Sequence, residues 1–120
     1  MKPNPRACVA YTAGRLISRK RASSVYDYSQ SKYINIDGEV SRNRVNVYDH
    51  DQGCYISGNS DDSKYSLYHY GDSHYIDLTI EGTNFKGYDY GSSCHFSGKV
   101  TGNSISLYDY GKSAYFDYSI

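Results

Sequence analysis

Residues 106–120 read SLYDYGKSAYFDYSI, and the chain states nearly the same phrase four times before: SVYDYSQSKYINI (24–36), NVYDHDQGCYISG (46–58), SLYHYGDSHYIDL (66–78) and KGYDYGSSCHFSG (86–98). Counted from two residues before the first tyrosine, the units run 24–45, 46–65, 66–85, 86–105 and a truncated 106–120. The first tyrosine recurs at Tyr26, Tyr48, Tyr68, Tyr88 and Tyr108. The position two residues on holds Tyr28, His50, Tyr70, Tyr90 and Tyr110, and the one after the turn holds Tyr33, Tyr55, Tyr75, His95 and Tyr115. An apolar residue always follows: Ile34, Ile56, Ile76, Phe96 or Phe116. A fixed period of this size means one supersecondary unit copied along the chain.

The local period identifies the unit. Ile105, Leu107 and Asp109 alternate with Ser106, Tyr108 and Tyr110, and Ile76, Leu78 and Ile80 alternate with Tyr75, Asp77 and Thr79. Period two means strand. Between the halves lie GDSH, GSSC and GKSA. Between units lie EGTN and TGNS, whose Gly-Thr and Gly-Asn pairs suit two-residue turns with the first residue at positive φ. Each unit is therefore expected to be a β-hairpin joined to the next by another hairpin, giving an all-β antiparallel meander of about ten strands.

Register follows from the faces. Pairing Tyr110 with Tyr115 sets Tyr108 opposite Asp117, Leu107 opposite Tyr118 and Asp109 opposite Phe116, and pairing Val100 with Ile105 keeps the apolar sides together. One face is then aliphatic (Ile76, Leu78, Ile80, Phe85, Val100, Ile105, Leu107, Phe116, Ile120) and the other a field of tyrosines with aspartates among them. Such a meander can close into a barrel, fold into a sandwich, stay open or stack as a solenoid. A sheet curled round its aliphatic face is expected, since closure hides the edges. The last unit, lacking a closing turn, is either the exposed edge or the strand that seals the sheet.

Residues 1–23 differ from the repeat body at 24–120. Lys2, Arg6, Arg15, Arg19, Lys20 and Arg21 all precede the first acid, Asp27, so a head of +6 sits on a body of −6 and the whole is neutral. In NPRACVAYTAGRLISRK, Asn4 can cap a helix, Pro5 can take its first position, and Cys8, Val9, Ala13, Leu16 and Ile17 approximate an apolar stripe. Gly14 weakens that helix by about 1 kcal/mol relative to alanine, and a further strand pair or a disordered basic tail competes with it. A helix here would cover the aliphatic face. No apolar run reaches the length of a membrane span and no secretory signal is recognisable. The three cysteines, Cys8, Cys54 and Cys94, are too few for a disulfide framework. A cytoplasmic protein with free thiols and no membrane partner is the expectation.

Candidate chemistry falls into three classes. A metal on Cys54, His74 and Cys94, with His50 and His95 nearby, has suitable donors, but equivalent positions of successive units lie about 10 Å apart in a meander; no metal or other cofactor is expected. The repeating acids Asp27, Asp49, Asp89 and Asp109, with His69 in their column, could form an acid-base pair. They obey the repeat, however, whereas catalytic groups need individual environments, and their place at strand ends suits hydrogen bonding in the adjoining turn. No nucleophile elbow, phosphate loop or His-Glu zinc motif is present, so an enzyme ranks third.

The third class is the aromatic face. With 16 tyrosines, three phenylalanines and no tryptophan, the chain presents rings that can bury a flank and keep a wet hydroxyl. Tyr48, Tyr68, Tyr70, Tyr75, Tyr88, Tyr90, Tyr108 and Tyr110 are the candidate ligand-binding residues. Acids beside them favour a carbohydrate or another hydroxylated or cationic ligand, and the negative body argues against nucleic acid. The pattern of two aromatics, a turn and a third aromatic at a 20-residue period resembles the choline-binding modules of bacterial cell-wall proteins, although LYDY stands where that motif has glycine and tryptophan. That resemblance implies aromatic cages for a quaternary ammonium. The alternative is a structural or self-associating protein, a homo-oligomer included, whose tyrosines form cross-strand ladders.

Overall fold

Alternation along the repeat is realised as ten strands and one helix. The computed structural model describes residues 1–120. Helix α1 (Pro3–Ser18) is followed by β1 (Ser24–Asp27), β2 (Lys32–Val40), β3 (Arg44–Asp49), β4 (Cys54–Asp61) and β5 (Lys64–His69). Then come β6 (His74–Glu81), β7 (Asn84–Asp89), β8 (Cys94–Thr101), β9 (Ser104–Asp109) and β10 (Ala114–Ser119). Each strand pairs antiparallel with its sequence neighbours, and β10 pairs with β1, so the meander is a closed barrel. The final unit is the strand that seals it, through Tyr26 opposite Ser119 and Asp27 opposite Tyr118.

The turns between units follow the expected chemistry. Val100 lies opposite Ile105 and Thr101 opposite Ser104, leaving Gly102 and Asn103 as a two-residue turn with Gly102 at φ 59°. Gly82 at φ 63° and Asp62 at φ 62° occupy the same position in their turns.

Within the units the register differs from expectation by two residues. Tyr115 lies opposite Tyr108, not Tyr110, and Phe116 opposite Leu107, not Asp109. The turn is longer because the Asp109 carboxylate accepts hydrogen bonds from the backbone N–H groups of Gly111 and Lys112 at 2.9 and 3.3 Å, while Ser113 adopts φ 52°. This side-chain capture takes Tyr110 out of its own hairpin's ladder. A shift of two preserves the faces. Ile76, Leu78, Phe85, Val100, Ile105 and Leu107 are buried inside as expected, and Ile80, Phe116 and Ile120 pack at the ends of the core.

The head is helical, and the interior of the barrel belongs to it. A barrel of eight strands is just filled by its own side chains, and a ten-stranded one leaves room for a helix about 10–12 Å across. Every residue of α1 from Pro5 to Gly14 is buried, so burial is not confined to the predicted stripe of Cys8, Val9, Ala13, Leu16 and Ile17. The inserted turns are narrow: Ala7, Ala10, Ala13 and Gly14 let the backbone approach the wall, and at Gly14 an added Cβ would stand 3.0 Å from Ile105 Cδ1. The wall yields as well. Gly58 and Gly98 stand at inward positions where a Cβ would overlap the backbone oxygens of Ser66 and Ser106.

The helix begins earlier than predicted. Lys2 is the N-cap residue without a side-chain cap, Pro3 opens the helix, and Asn4 lies inside it, its amide donating to Asp49 and Asp51 at 2.9 Å. It ends at Arg19, in the left-handed region at φ 61°, whose N–H returns to Arg15 O. α1 thus enters at the end that carries the turns within units and leaves at the end that carries the turns between units, where Arg15 donates to Gly38 O. Head and body share one core of 23 buried residues.

Candidate functional site

The revised register creates the main surface feature. Because Tyr108 lies opposite Tyr115 and Tyr110 folds back over it, the three rings meet edge to face, with centroids 4.7 and 4.8 Å from Tyr108. The same triad forms in every unit: Tyr26 with Tyr28 and Tyr33, Tyr48 with His50 and Tyr55, Tyr68 with Tyr70 and Tyr75, Tyr88 with Tyr90 and His95. Edge-to-face geometry sets the positive edge of one ring against the negative face of another and is worth about 0.5–1.5 kcal/mol per pair beyond burial.

All five triads point outward and form a belt round one end of the barrel. Of the predicted site residues, Tyr48, Tyr68, Tyr88 and Tyr108 are the half-buried centres, whereas Tyr70, Tyr75, Tyr90 and Tyr110 are each more than half exposed. The structure brings them together within units, three rings to a hairpin, and does not build cages between adjoining hairpins. Tyr28, Tyr33, Tyr55 and Tyr115, equally exposed and absent from the predicted set, complete the belt. Their membership was visible in the repeat columns. The second aromatic of a unit reaches toward the unit before it: His50 Nε2 lies 3.0 Å from Asp37 Oδ1, Tyr90 Oη donates to Asp77 Oδ2 at 3.1 Å, and Tyr110 Oη lies 3.4 Å from Ser97 Oγ. The hydrogen bond to Asp77 raises the Tyr90 phenol above its ordinary pKa.

Beyond the belt the outer wall is polar, with Asn46, Ser57, Asn59, Ser66, Lys86, Lys99 and Ser106 among its outward residues. Here residues of β6 to β10 line a shallow cavity of about 750 Å³. Its aromatic side is Tyr108, Tyr110 and Tyr115; Lys86, Lys99 and Glu81 face them across a floor of Ser97, Gly98 and Ser106. A larger cavity of about 1360 Å³ lies where α1 leaves the barrel, lined by Arg15, Arg19, Lys20, Arg21 and Arg42 together with Asp37, Glu39 and Asp62. Its charges are mixed, and Arg15 is already committed to Gly38 O and Tyr11 Oη. No helix is long and apolar enough to cross a membrane.

At the mouth where α1 enters, Asp27, Asp49, His69, Asp89 and Asp109 point inward and are buried. Their expected turn role is realised: Asp27 accepts from Ser29 N, Asp49 from Asp51 N, Asp89 from Gly91 N, and His69 Nδ1 from Asp72 N at 3.0 Å. The ring meets the positive end of α1, which lowers the cost of burying carboxylates. Asp109 also takes an ion pair from Arg6 at 3.2 Å and one from the Met1 amino group at 3.0 Å. Arg6 Nε donates to Tyr118 Oη, and burial raises the Tyr118 phenol far above its ordinary pKa.

One unit departs from this pattern. His69 replaces the aspartate and His74 stands across the turn, their rings parallel with centroids 5.5 Å apart. Burial holds the His69 pKa below its ordinary value. With Asp72 from the turn, the pair offers three ligand atoms within 4.8 Å of one another. Cys54 Sγ lies 3.8 Å from His69 Nε2, and burial raises its thiol pKa. All three cysteines are free. No family model matches this chain, and neither a curated protein nor a solved structure is significantly similar to it.

Proposed function

We propose that the protein is a non-catalytic binding module that recognises carbohydrate on the outer wall of its barrel. The observation that carries this reading is the belt of five outward aromatic triads. α1 takes the lumen, the usual ligand site of a closed barrel, so recognition falls to the exterior. A ring with an exposed flank and an anchored hydroxyl is suited to the apolar face of a sugar, and the carboxylates and lysines beside it to its hydroxyls. The cavity bounded by Tyr108, Tyr110 and Tyr115 combines these elements: an aromatic side, serine hydroxyls in the floor, and Lys86, Lys99 and Glu81 along the rim. A cytoplasmic setting is consistent with three unpaired thiols.

Screening the full chain on a glycan array tests the proposal. Binding that is lost in Tyr110→Ala and Tyr115→Ala, the exposed rings of that cavity, with the circular dichroism unchanged, supports it. A blank array together with concentration-dependent self-association would favour a second reading, in which the exposed rings bind further copies of the chain. That reading draws on the large aromatic exposure, Tyr115 being 72 % and Tyr33 68 % exposed.

A further inference from the structure

The third unit is the only one that sets two imidazoles and a carboxylate round one turn. The positions of His69, Asp72 and His74 are filled elsewhere by Asp27, Gln30 and Lys32; Asp49, Gln52 and Cys54; Asp89, Ser92 and Cys94; and Asp109, Lys112 and Ala114. No turn requirement explains the substitution, because an aspartate performs the same hydrogen bonding in the other four units.

From this geometry we propose that His69, Asp72 and His74 bind a divalent transition-metal ion, zinc by the nature of the donors. Asp72 Oδ2 lies 4.0 Å from His69 Nδ1 and 3.9 Å from His74 Nε2. Oδ2 is buried and has no hydrogen-bond partner, although the other carboxylate oxygen accepts from Gln52 Nε2 at 3.1 Å and lies 3.7 Å from Lys2 Nζ. A buried carboxylate oxygen left unpartnered between two imidazole edges is costly unless a cation completes it.

The surroundings are arranged for the same purpose. His74 Nδ1 lies 3.4 Å from Tyr75 O and 3.1 Å from Asp89 Oδ1, both of which can only accept, so Nδ1 carries the proton and Nε2, 3.9 Å from Asp72 Oδ2, is left free to bind. A carboxylate behind the imidazole is the usual outer support of a metal-bound histidine. Bonds of about 2.0–2.2 Å in a tetrahedron place donors about 3.3 Å apart. Reaching that spacing shortens the two carboxylate–imidazole separations of 4.0 and 3.9 Å and draws together the two imidazoles, whose donor atoms lie within 4.8 Å, and the ion takes the place of the Asp72 N–H on His69 Nδ1. Asp72 and His74 line a cavity of about 620 Å³ at the barrel mouth, bordered also by Lys2, Arg6, Asp89, Lys112 and Phe116, which is the path by which an ion would enter.

The test is calorimetric titration of the full, untagged chain with zinc chloride after treatment with chelator. One equivalent should bind, and Asp72→Asn and His74→Ala should each weaken binding by at least about tenfold with unchanged circular dichroism, while Cys54→Ser binds like the parent. As a readout that needs no variant, zinc should shift the ring nitrogen resonances of His69 and His74 and leave those of His50 and His95 in place. Absence of zinc binding, unchanged affinity in Asp72→Asn and His74→Ala, or loss of binding in Cys54→Ser alone would overturn the proposal.

Discussion

The Arg6 guanidinium lies 3.2 Å from the Asp109 carboxylate in the interior of the barrel and 3.4 Å above the ring of Phe116, linking the inserted helix to the strand hairpin that closes the wall. Both charged groups are withdrawn from water. Their pairing therefore matters less for its own strength than for what either partner would become alone.

Asp109→Ala leaves Arg6 and the Met1 amino group buried beside each other without a counter-charge. The expected loss is about 3–5 kcal/mol in urea denaturation. Because Arg6→Met removes one of the two stranded charges, the double variant should be destabilised by less than the sum of the single ones. Additive losses would show that the pair is not coupled.

Stability should fall in acid through the same contact. Burial alone raises the Asp109 pKa, but the hydrogen bond and charge of the Met1 amino group, with Arg6, outweigh it and hold the carboxyl below its ordinary value. The folded state then binds fewer protons than the unfolded one. The contribution is fully present above the unfolded carboxylate pKa, near 3.9, and is lost as pH falls through the lower folded value. The urea midpoint measured from pH 5 downward should decline less steeply in Asp109→Asn than in the parent chain; equal slopes would remove Asp109 from the acid response.

Glycine at the inward wall positions answers a steric demand. A Cβ at Gly98 would overlap both Ser106 O and the Phe85 ring. Gly98→Ala should cost at least the roughly 1–3 kcal/mol of an overpacked core. Ser97→Ala, one position along and facing outward, should change thermal stability little.

The centre and flanks of a triad should behave differently. Tyr88 touches both Tyr90 and His95, so Tyr88→Ala removes two edge-to-face pairs and should lower stability by about 1–3 kcal/mol. Tyr90→Ala removes one pair from an exposed ring and should cost about half as much. Chemical denaturation of the two variants checks the order.

Much of this architecture is written in the columns of the repeat. The hairpins, the faces, the outward tyrosines and the turn role of the aspartates all follow from period two and from Gly-Asn and Gly-Thr turns. The register within units was not legible by counting, because the Asp109 carboxylate recruits two backbone N–H groups and lengthens the turn. Insertion of α1 was hidden for a related reason. Arg6 looks like a surface charge until Asp109 is placed opposite it, and Ala7, Ala10 and Gly14 look like weak helix residues until the wall is near. The histidine cluster escaped notice because like positions were compared between units, two strands apart, whereas His69, Asp72 and His74 meet across a single turn.

The central claim is that α1 occupies the lumen of the barrel. Native-state hydrogen exchange tests it most directly. If the account is right, the amides from Cys8 to Gly14 exchange only with global unfolding, as slowly as those of β5 and β9. Exchange of these helix amides far faster than the strands, with the strands still protected, would mean that the helix leaves an intact barrel and would contradict the account.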